Sequence, residues 1–306
     1  MPILANQVDC STTRKGVGLP DCIIQEGMPK GFIAVEKGWS VLLADSFNKT
    51  YIQNEVLIEE FVPFTGCFNF ADNTPESTIE ESQNGVKYVV RNGLPEFTFT
   101  FKKGYAFHSA SYSYNSNQSY DYLLVFASGA IMGCYSADGL SMKGFDGGML
   151  NTSSYKFNDG SASASTGVMF QLLSDREFNQ DGLLIASSNL DINVNTELFG
   201  IADVLITGTA DVSDAKITAT VKFKANPAIV LTGASASNFG LTVSGVDDAV
   251  SGTVTESPAG TYAITPTATL TTSTPVVVRM RKLTTNVAQI GNKFYKGQSA
   301  SITPTA

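Results

Sequence analysis

The sequence predicts a mainly β protein built from two sandwich domains, and three observations carry that prediction. Residues 85–103 alternate apolar and polar side chains over two runs. Residues 200–306 fall into short runs rich in Thr, Val, Ala and Ser, each bounded by Gly, Pro, Asn or Asp. At about Gly200 the chain changes character. Residues 1–199 hold the only Trp, all four Cys and the lone His, and carry 22 Asp and Glu against 12 Lys and Arg, a net −10. Residues 200–306 carry 6 acids against 8 bases, a net +2, and the two values account for the −8 of the whole chain. A chain of 306 residues exceeds the usual size of one core, so two domains are expected, 1–199 and 200–306.

Taken in order, residues 31–44 read as two short strands broken at Lys37-Gly38. Residues 47–61 form the one good helix candidate: Val56, Leu57 and Phe61 can share a face, and Pro63 should end it. The polar stretch 71–82 reads as a mobile acidic loop running into a strand. In residues 85–103, Val86, Tyr88 and Val90 alternate with Lys87 and Arg91. Phe97, Phe99 and Phe101 face away from Glu96, Thr98, Thr100 and Lys102. Asn92-Gly93-Leu94-Pro95 supplies turn chemistry between the runs, which predicts a long hairpin with one buried face. Residues 105–114 continue the β pattern through Tyr105, Phe107, Tyr112 and Tyr114. Residues 120–126 and 131–135 flank a turn at Ser128-Gly129-Ala130. Residues 138–148 are loop-like, 150–160 and 164–173 are strands, and a short helical turn is expected near Phe178.

Beyond Gly200 the candidate strands are 203–207, 215–223, 228–232, 239–244, 250–255, 261–265, 275–281 and 293–302. That spacing over about 100 residues predicts an immunoglobulin-like β-sandwich, without the Cys pair and Trp of the antibody version. No tandem repeat of fixed period is evident.

Little in the chain suggests catalysis. His108 lies in an aromatic run without a nucleophile motif, and reads as a structural His beside a sheet. No phosphate-binding loop is present, and neighbouring carboxylates such as Glu59-Glu60 lack the separation glycoside hydrolysis needs. Asp175, Glu177 and Asp181 could approach one cation, but their spacing departs from the EF-hand loop. Cys10, Cys22, Cys67 and Cys134 lack metal-site spacing and are expected to be reduced and buried, with a Cys10–Cys22 bridge as the minor alternative. No metal or cofactor is therefore expected. The acidic balance and the absence of basic clusters argue against duplex nucleic-acid binding. No run approaches the ~20 apolar residues that span a bilayer, and the opening residues lack signal-peptide character, so synthesis in the cytosol without membrane insertion is expected. Long hairpins carry open edges, which suits a subunit that completes its sheet by assembly.

The order of features in residues 1–199 resembles the tail tube (major tail) proteins of long-tailed bacteriophages. The features are the strand and helix through Trp39–Phe61, the acidic lead-in Glu76–Ser82, the runs 84–93 and Phe97–Phe101, and the pair Leu123–Phe126 and Ile131–Tyr135. The turn 138–145 follows, and the Cys10…Cys22 head before 26–32 is similar to versions from phages of Bacteroidetes-type hosts. The resemblance implies a tail-tube-type β-sandwich whose copies form rings, usually of six, that stack into the conduit for DNA ejection. An immunoglobulin-like domain would project outside. It also implies a homo-oligomer within a virion, contacts with other tail proteins, and DNA that passes without specific binding. The outer domain would be free to make weak contacts with cell-surface glycans. Glu76, Glu80, Glu81 and Glu96, expected on the hairpin's polar face, are the candidates for lumen-facing or inter-ring acids. The alternatives are a capsid decoration or head–tail joining protein, a surface adhesin or fibre module, and, weakest, a glycan hydrolase.

Overall fold

The computed structural model describes residues 27–282 and 284–306, so Cys10 and Cys22 lie outside the described residues. The chain divides into two compact units. One comprises the described residues up to Gln53 together with Glu60–Leu198; the other comprises Asn54–Glu59 and Phe199–Ala306. The protein is mainly β, with strands gathered into several sheets.

The first unit runs through β1 (Pro29–Glu36), β2 (Ser40–Leu42), the start of α1 (Lys49–Leu57, whose residues from Asn54 on are grouped with the second unit), β3 (Phe61–Thr65), β4 (Asn69–Asp72), β5 (Thr78–Glu81), β6 (Lys87–Arg91) and β7 (Glu96–Phe101). It continues with α2 (Gly104–Tyr112), β8 (Ser116–Asn117), β9 (Tyr120–Phe126), β10 (Ile131–Tyr135), β11 (Ser141–Lys143), β12 (Gly147–Thr152) and β13 (Thr166–Leu172). It ends with α3 (Asp175–Asn179), β14 (Gly182–Ile185), α4 (Ser187–Leu190) and α5 (Val194–Glu197). One sheet has the order β2-β11-β10-β9-β1-β3, with β14 also paired to β10; a second has the order β4-β7-β13-β12-β8.

The alternation in each strand decides how the sheets meet. Phe32 and Ala34 of β1, Phe64 of β3, Tyr122 and Leu124 of β9 and Cys134 of β10 turn inward from the first sheet. Phe97, Phe99 and Phe101 of β7, Leu150 of β12, and Val168, Phe170 and Leu172 of β13 meet them from the second. Phe170 lies 4.2 Å from Tyr122 and 4.8 Å from Phe32 between ring centroids, so the rings interlock across the sandwich. The alternate residues of β1 and β9, Ile33, Val35, Leu123 and Val125, are also fully buried. Both faces of these central strands are therefore covered, which explains their unbroken apolar runs.

A polar clasp fixes one border of this sandwich. Asp121, almost wholly buried, accepts hydrogen bonds from the backbone N–H of Gly38 at 2.9 Å and of Gly147 at 3.1 Å. The Lys37 ammonium lies 2.9 Å from Asp121 and also bonds Asp146. Burial works against the Lys37 charge, but the Asp146 and Asp121 hydrogen bonds outweigh it and hold its pKa above the ordinary value. Nearby, Glu177 binds Lys143 at 2.6 Å and the Asp146 N–H at 2.8 Å.

Four expectations for this unit need correction. Residues 86–91 and 96–101 do not pair with each other: β6 pairs β5, and β7 lies between β4 and β13. The chain contains two Asn-Gly pairs, and the hairpin turns at Asn84-Gly85, where Gly85 takes φ 77°. Gly93 serves another purpose, since a Cβ there would fall 1.8 Å from the Pro75 carbonyl oxygen. Residues 104–112 are helical rather than extended, because Phe107, Ser111 and Tyr114 recur at helical spacing on the inner side. Pro63 does not end a helix but sits in β3, an edge strand where its missing N–H is tolerated. The helical turn expected near Phe178 is present as α3, whereas residues 138–148, expected to be loop-like, contain β11 and the start of β12.

The second unit contains β15 (Ile201–Asp211), β16 (Lys216–Phe223), β17 (Phe239–Val243), β18 (Val246–Asp248), β19 (Thr255–Glu256), β20 (Thr261–Ile264), β21 (Val276–Met280), β22 (Val287–Ile290) and β23 (Lys293–Lys296). Two sheets, β19-β20-β16-β15-β23-β22 and β18-β17-β21, enclose a core that includes Ile206, Ile217, Val221, Tyr262, Leu241, Val276 and Val278. β15 pairs in parallel with β23, so the two ends of this unit close on each other. The expected strands 228–232 and 250–255 are reduced to an isolated bridge at Val230 and the short β19, whereas β18 and β22 were not expected.

Two outcomes follow from these cores. Phe170→Ala should destabilise the first unit by about 3–5 kcal/mol in a urea titration, because it removes the ring that four others pack against. Burial pushes the Cys134 thiol from 9.0 up to about 12, so it stays protonated while the unfolded thiol ionises. Its contribution to stability is whole below pH 9 and is lost as pH rises from about 9 towards 12, measured as parent against Cys134→Ala.

Candidate assembly surface

Among the described residues β5 and β6 form a two-stranded ribbon that joins no other sheet. Residues 82–86 close its tip, with the Ser82 N–H bonding the Val86 carbonyl at 2.9 Å and the Gly85 N–H bonding the Ser82 carbonyl at 2.9 Å. Thr78 pairs Arg91 but Ile79 pairs Val89, so Val90 is an extra residue on one leg, which bends and twists the ribbon.

Its base is well anchored. The Asn73 N–H bonds the Glu96 carbonyl at 2.8 Å, Asn73 Nδ2 bonds Thr98 Oγ1 at 2.8 Å, and Asn92 Nδ2 bonds Asp175 Oδ2 at 2.8 Å. Above this base every residue of β5 and β6 is exposed. Ile79, Val86, Tyr88, Val89 and Val90 show 50–62 % of their surface to water. Two-stranded ribbons are marginal alone, and apolar patches of this kind mark contact sites.

The four acidic candidates do not share one polar hairpin face. Glu76 is exposed in the segment leading to β5. Glu80 accepts a hydrogen bond from the Tyr88 hydroxyl at 2.9 Å, and Glu81 lies 3.8 Å from Lys87. Being consecutive in a strand, Glu80 and Glu81 point to opposite sides of the ribbon. Glu96 belongs to β7, half-buried on its outer face, 3.5 Å from Gln171 Nε2. All four lie on the ribbon or at its base.

A second exposed surface was not legible as such. α2 presents Tyr105, His108 and Tyr112 along one stripe, and Tyr155 packs against it with centroids 5.4 Å from Tyr105 and 5.3 Å from His108. Phe157 extends the cluster at 5.2 Å from Tyr155. Tyr105, Tyr112 and Phe157 are 59–77 % exposed. His108 is thus part of an aromatic cluster on a helix, not a His beside a sheet, and its Nδ1 is buried without a hydrogen-bond partner among the described residues. The spacing i, i+3, i+7 was the signal that could have revealed the stripe.

Asp175, Glu177 and Asp181 do not converge: they bind Asn92, Lys143 and Arg176 respectively. Among the described residues no group of three or more His, Cys, Asp or Glu is placed to hold a metal, and no helix is long and apolar enough to cross a membrane. Cys67 and Cys134 are free and buried. In the second unit the most developed polar cluster is Arg279 and Arg281 around Asp247, at 2.6 and 3.4 Å. The chain matches no protein-family model and no curated protein.

The ribbon contributes surface rather than core. Replacing residues 78–91 by a short Gly-Ser link should leave the thermal midpoint within about 3 °C of the parent by differential scanning calorimetry.

Proposed function

We propose that this protein is the tail tube subunit of a long-tailed bacteriophage. Its first unit polymerises into stacked rings, and its second, an immunoglobulin-like sandwich, decorates the outer wall. The observation that carries this reading is the β5–β6 ribbon, whose five exposed apolar side chains find no cover among the described residues. Covering each of them would contribute on the order of 1 kcal/mol, so a neighbouring copy is a sufficient partner. The order of strands and helix in residues 1–199 supports the same reading by its resemblance to that family.

The charge follows from the task. A conduit for DNA works best when its wall repels phosphate, because clustered Lys or Arg would hold the duplex through counterion release. Residues 1–199 carry the acid excess, and on this reading some of Glu76, Glu80, Glu81 and Glu96 stay in water facing the lumen. The near-neutral second unit belongs outside, where it meets other tail proteins or the cell surface. Like charge between copies also opposes assembly, so salt should favour it by screening.

Electron microscopy of the purified full chain across a salt series tests the proposal. Rings or hollow tubes of uniform diameter are expected, more abundant as salt rises; monomers at every salt concentration would overturn it.

A further inference from the structure

The dipeptide Asn-Gly occurs twice, at 84–85 and at 92–93. Asparagine before glycine is prone to deamidation, because a residue without a Cβ lets its backbone nitrogen swing onto the preceding side-chain carbonyl. The fold sets the two copies in opposite situations. Asn84 lies exposed in the turn that closes the β5–β6 ribbon, and its side chain makes no hydrogen bond among the described residues. The nitrogen that would attack it, that of Gly85, is held by the Ser82 carbonyl at 2.9 Å. That bond sits at the tip of a ribbon that is marginal alone and exposed throughout, so it breaks by local opening without disturbing the core. The space around the turn is open, since the nearest atom to a Cβ built on Gly85 is the Glu81 carboxylate oxygen at 3.9 Å. Asn92 is locked by contrast. Its Oδ1 accepts from Ser77 Oγ at 3.3 Å, and its Nδ2 donates to Asp175 Oδ2 at 2.8 Å. Gly93 runs so close to Pro75 that a Cβ would fall 1.8 Å from the Pro75 carbonyl oxygen. Its nitrogen reaches Asn92 Cγ only if both side-chain bonds break and the backbone shifts against Pro75.

We infer that Asn84 is a site of spontaneous covalent modification, and that the fold protects Asn92 in the same dipeptide. In the first step the Gly85 nitrogen bonds to Asn84 Cγ and the Cγ–Nδ2 bond breaks. Ammonia leaves, carrying the proton of the Gly85 amide, and a five-membered succinimide remains. Water then opens the ring. Attack at Cγ gives aspartate; attack at the main-chain carbonyl gives isoaspartate, whose backbone is longer by one methylene. Either product puts a carboxylate where a neutral amide stood. Residues 78–91 are balanced as synthesised, with Glu80 and Glu81 against Lys87 and Arg91, so the modified ribbon carries one net negative charge. The new charge arises beside Glu81, and the added methylene of isoaspartate alters the spacing that the Ser82–Val86 hydrogen bond requires. The ribbon therefore has a fresh, neutral form and an aged, acidic one. This assignment is independent of the tube reading and stands or falls without it.

Tryptic peptide mapping by mass spectrometry tests it on the purified full chain, incubated at mildly alkaline pH and body temperature, with a brief, mildly acidic digestion. Cleavage after Lys49, Lys87, Arg91 and Lys102 places Asn84 in peptide 50–87 and Asn92 in peptide 92–102, so the two sites report separately. Peptide 50–87 should gain about 1 Da, the exchange of an amide NH2 for OH, with fragmentation placing the change at position 84. Its rate should exceed that of peptide 92–102 at least about tenfold, because two hydrogen bonds must break before Asn92 can react. In concentrated urea the two rates should converge, since the contacts that separate them are gone. Asn84→Gln should remove the gain from peptide 50–87 in the folded protein. Equal rates in the folded protein, faster change at Asn92, or a difference that persists in urea would overturn the assignment. So would a peptide 50–87 that reacts only when the chain is unfolded.

Discussion

The aromatic interlock between the two sheets of the first unit is the constraint from which its surface follows. Phe32, Phe99, Tyr122 and Phe170 occupy the gap between β1 and β9 on one side and β7 and β13 on the other. Because side chains alternate along a strand, committing Phe97, Phe99 and Phe101 inward commits Glu96, Thr98 and Thr100 outward. It also fixes the direction in which β7 begins and ends. The ribbon and α2 are therefore held by the core at the two ends of one strand, although neither contributes much to that core. A surface feature gains defined geometry in this way without adding to stability.

The polar clasp around Asp121 does similar work at a border. A buried carboxylate is costly unless paired, and here it is satisfied by one ammonium and two backbone N–H groups. Those donors come from the β1–β2 turn and from the start of β12, two segments that belong to different sheets. The clasp thus specifies register where apolar packing alone would permit sliding. Gly147 has to be small there, since a Cβ would fall 2.0 Å from the Tyr120 carbonyl oxygen.

Much of the fold was legible in the sequence, and the failures have physical causes. The alternation of 97–101 and the apolar runs of 31–36, 120–126 and 131–135 each gave a strand, because burial enforces period 2 or a continuous run. Strand partners were another matter. Asn84-Gly85 and Asn92-Gly93 carry the same turn signal, and only the close approach of Gly93 to Pro75 distinguishes their roles. α2 escaped because its aromatics satisfy both periods at once: Tyr105 and Phe107 alternate, while Tyr105, His108 and Tyr112 follow a helix. The acids Glu80 and Glu81 were visible as residues, but their placement on opposite sides of an isolated ribbon required the pairing. The aromatic cluster needed Tyr155, more than forty residues beyond α2, and no local pattern could supply it.

The division of charge can now be resolved more finely than by domain. A net −10 spread evenly over residues 1–199 would oppose every approach of one copy to another. It is not even: the stretch 97–120 contains no carboxylate, and it is there that the exposed aromatic rings lie. The acid is concentrated instead before β7 and in the segments after β13. An uneven distribution permits approach in one orientation while repelling others, so repulsion acts as a selector of geometry rather than a simple barrier.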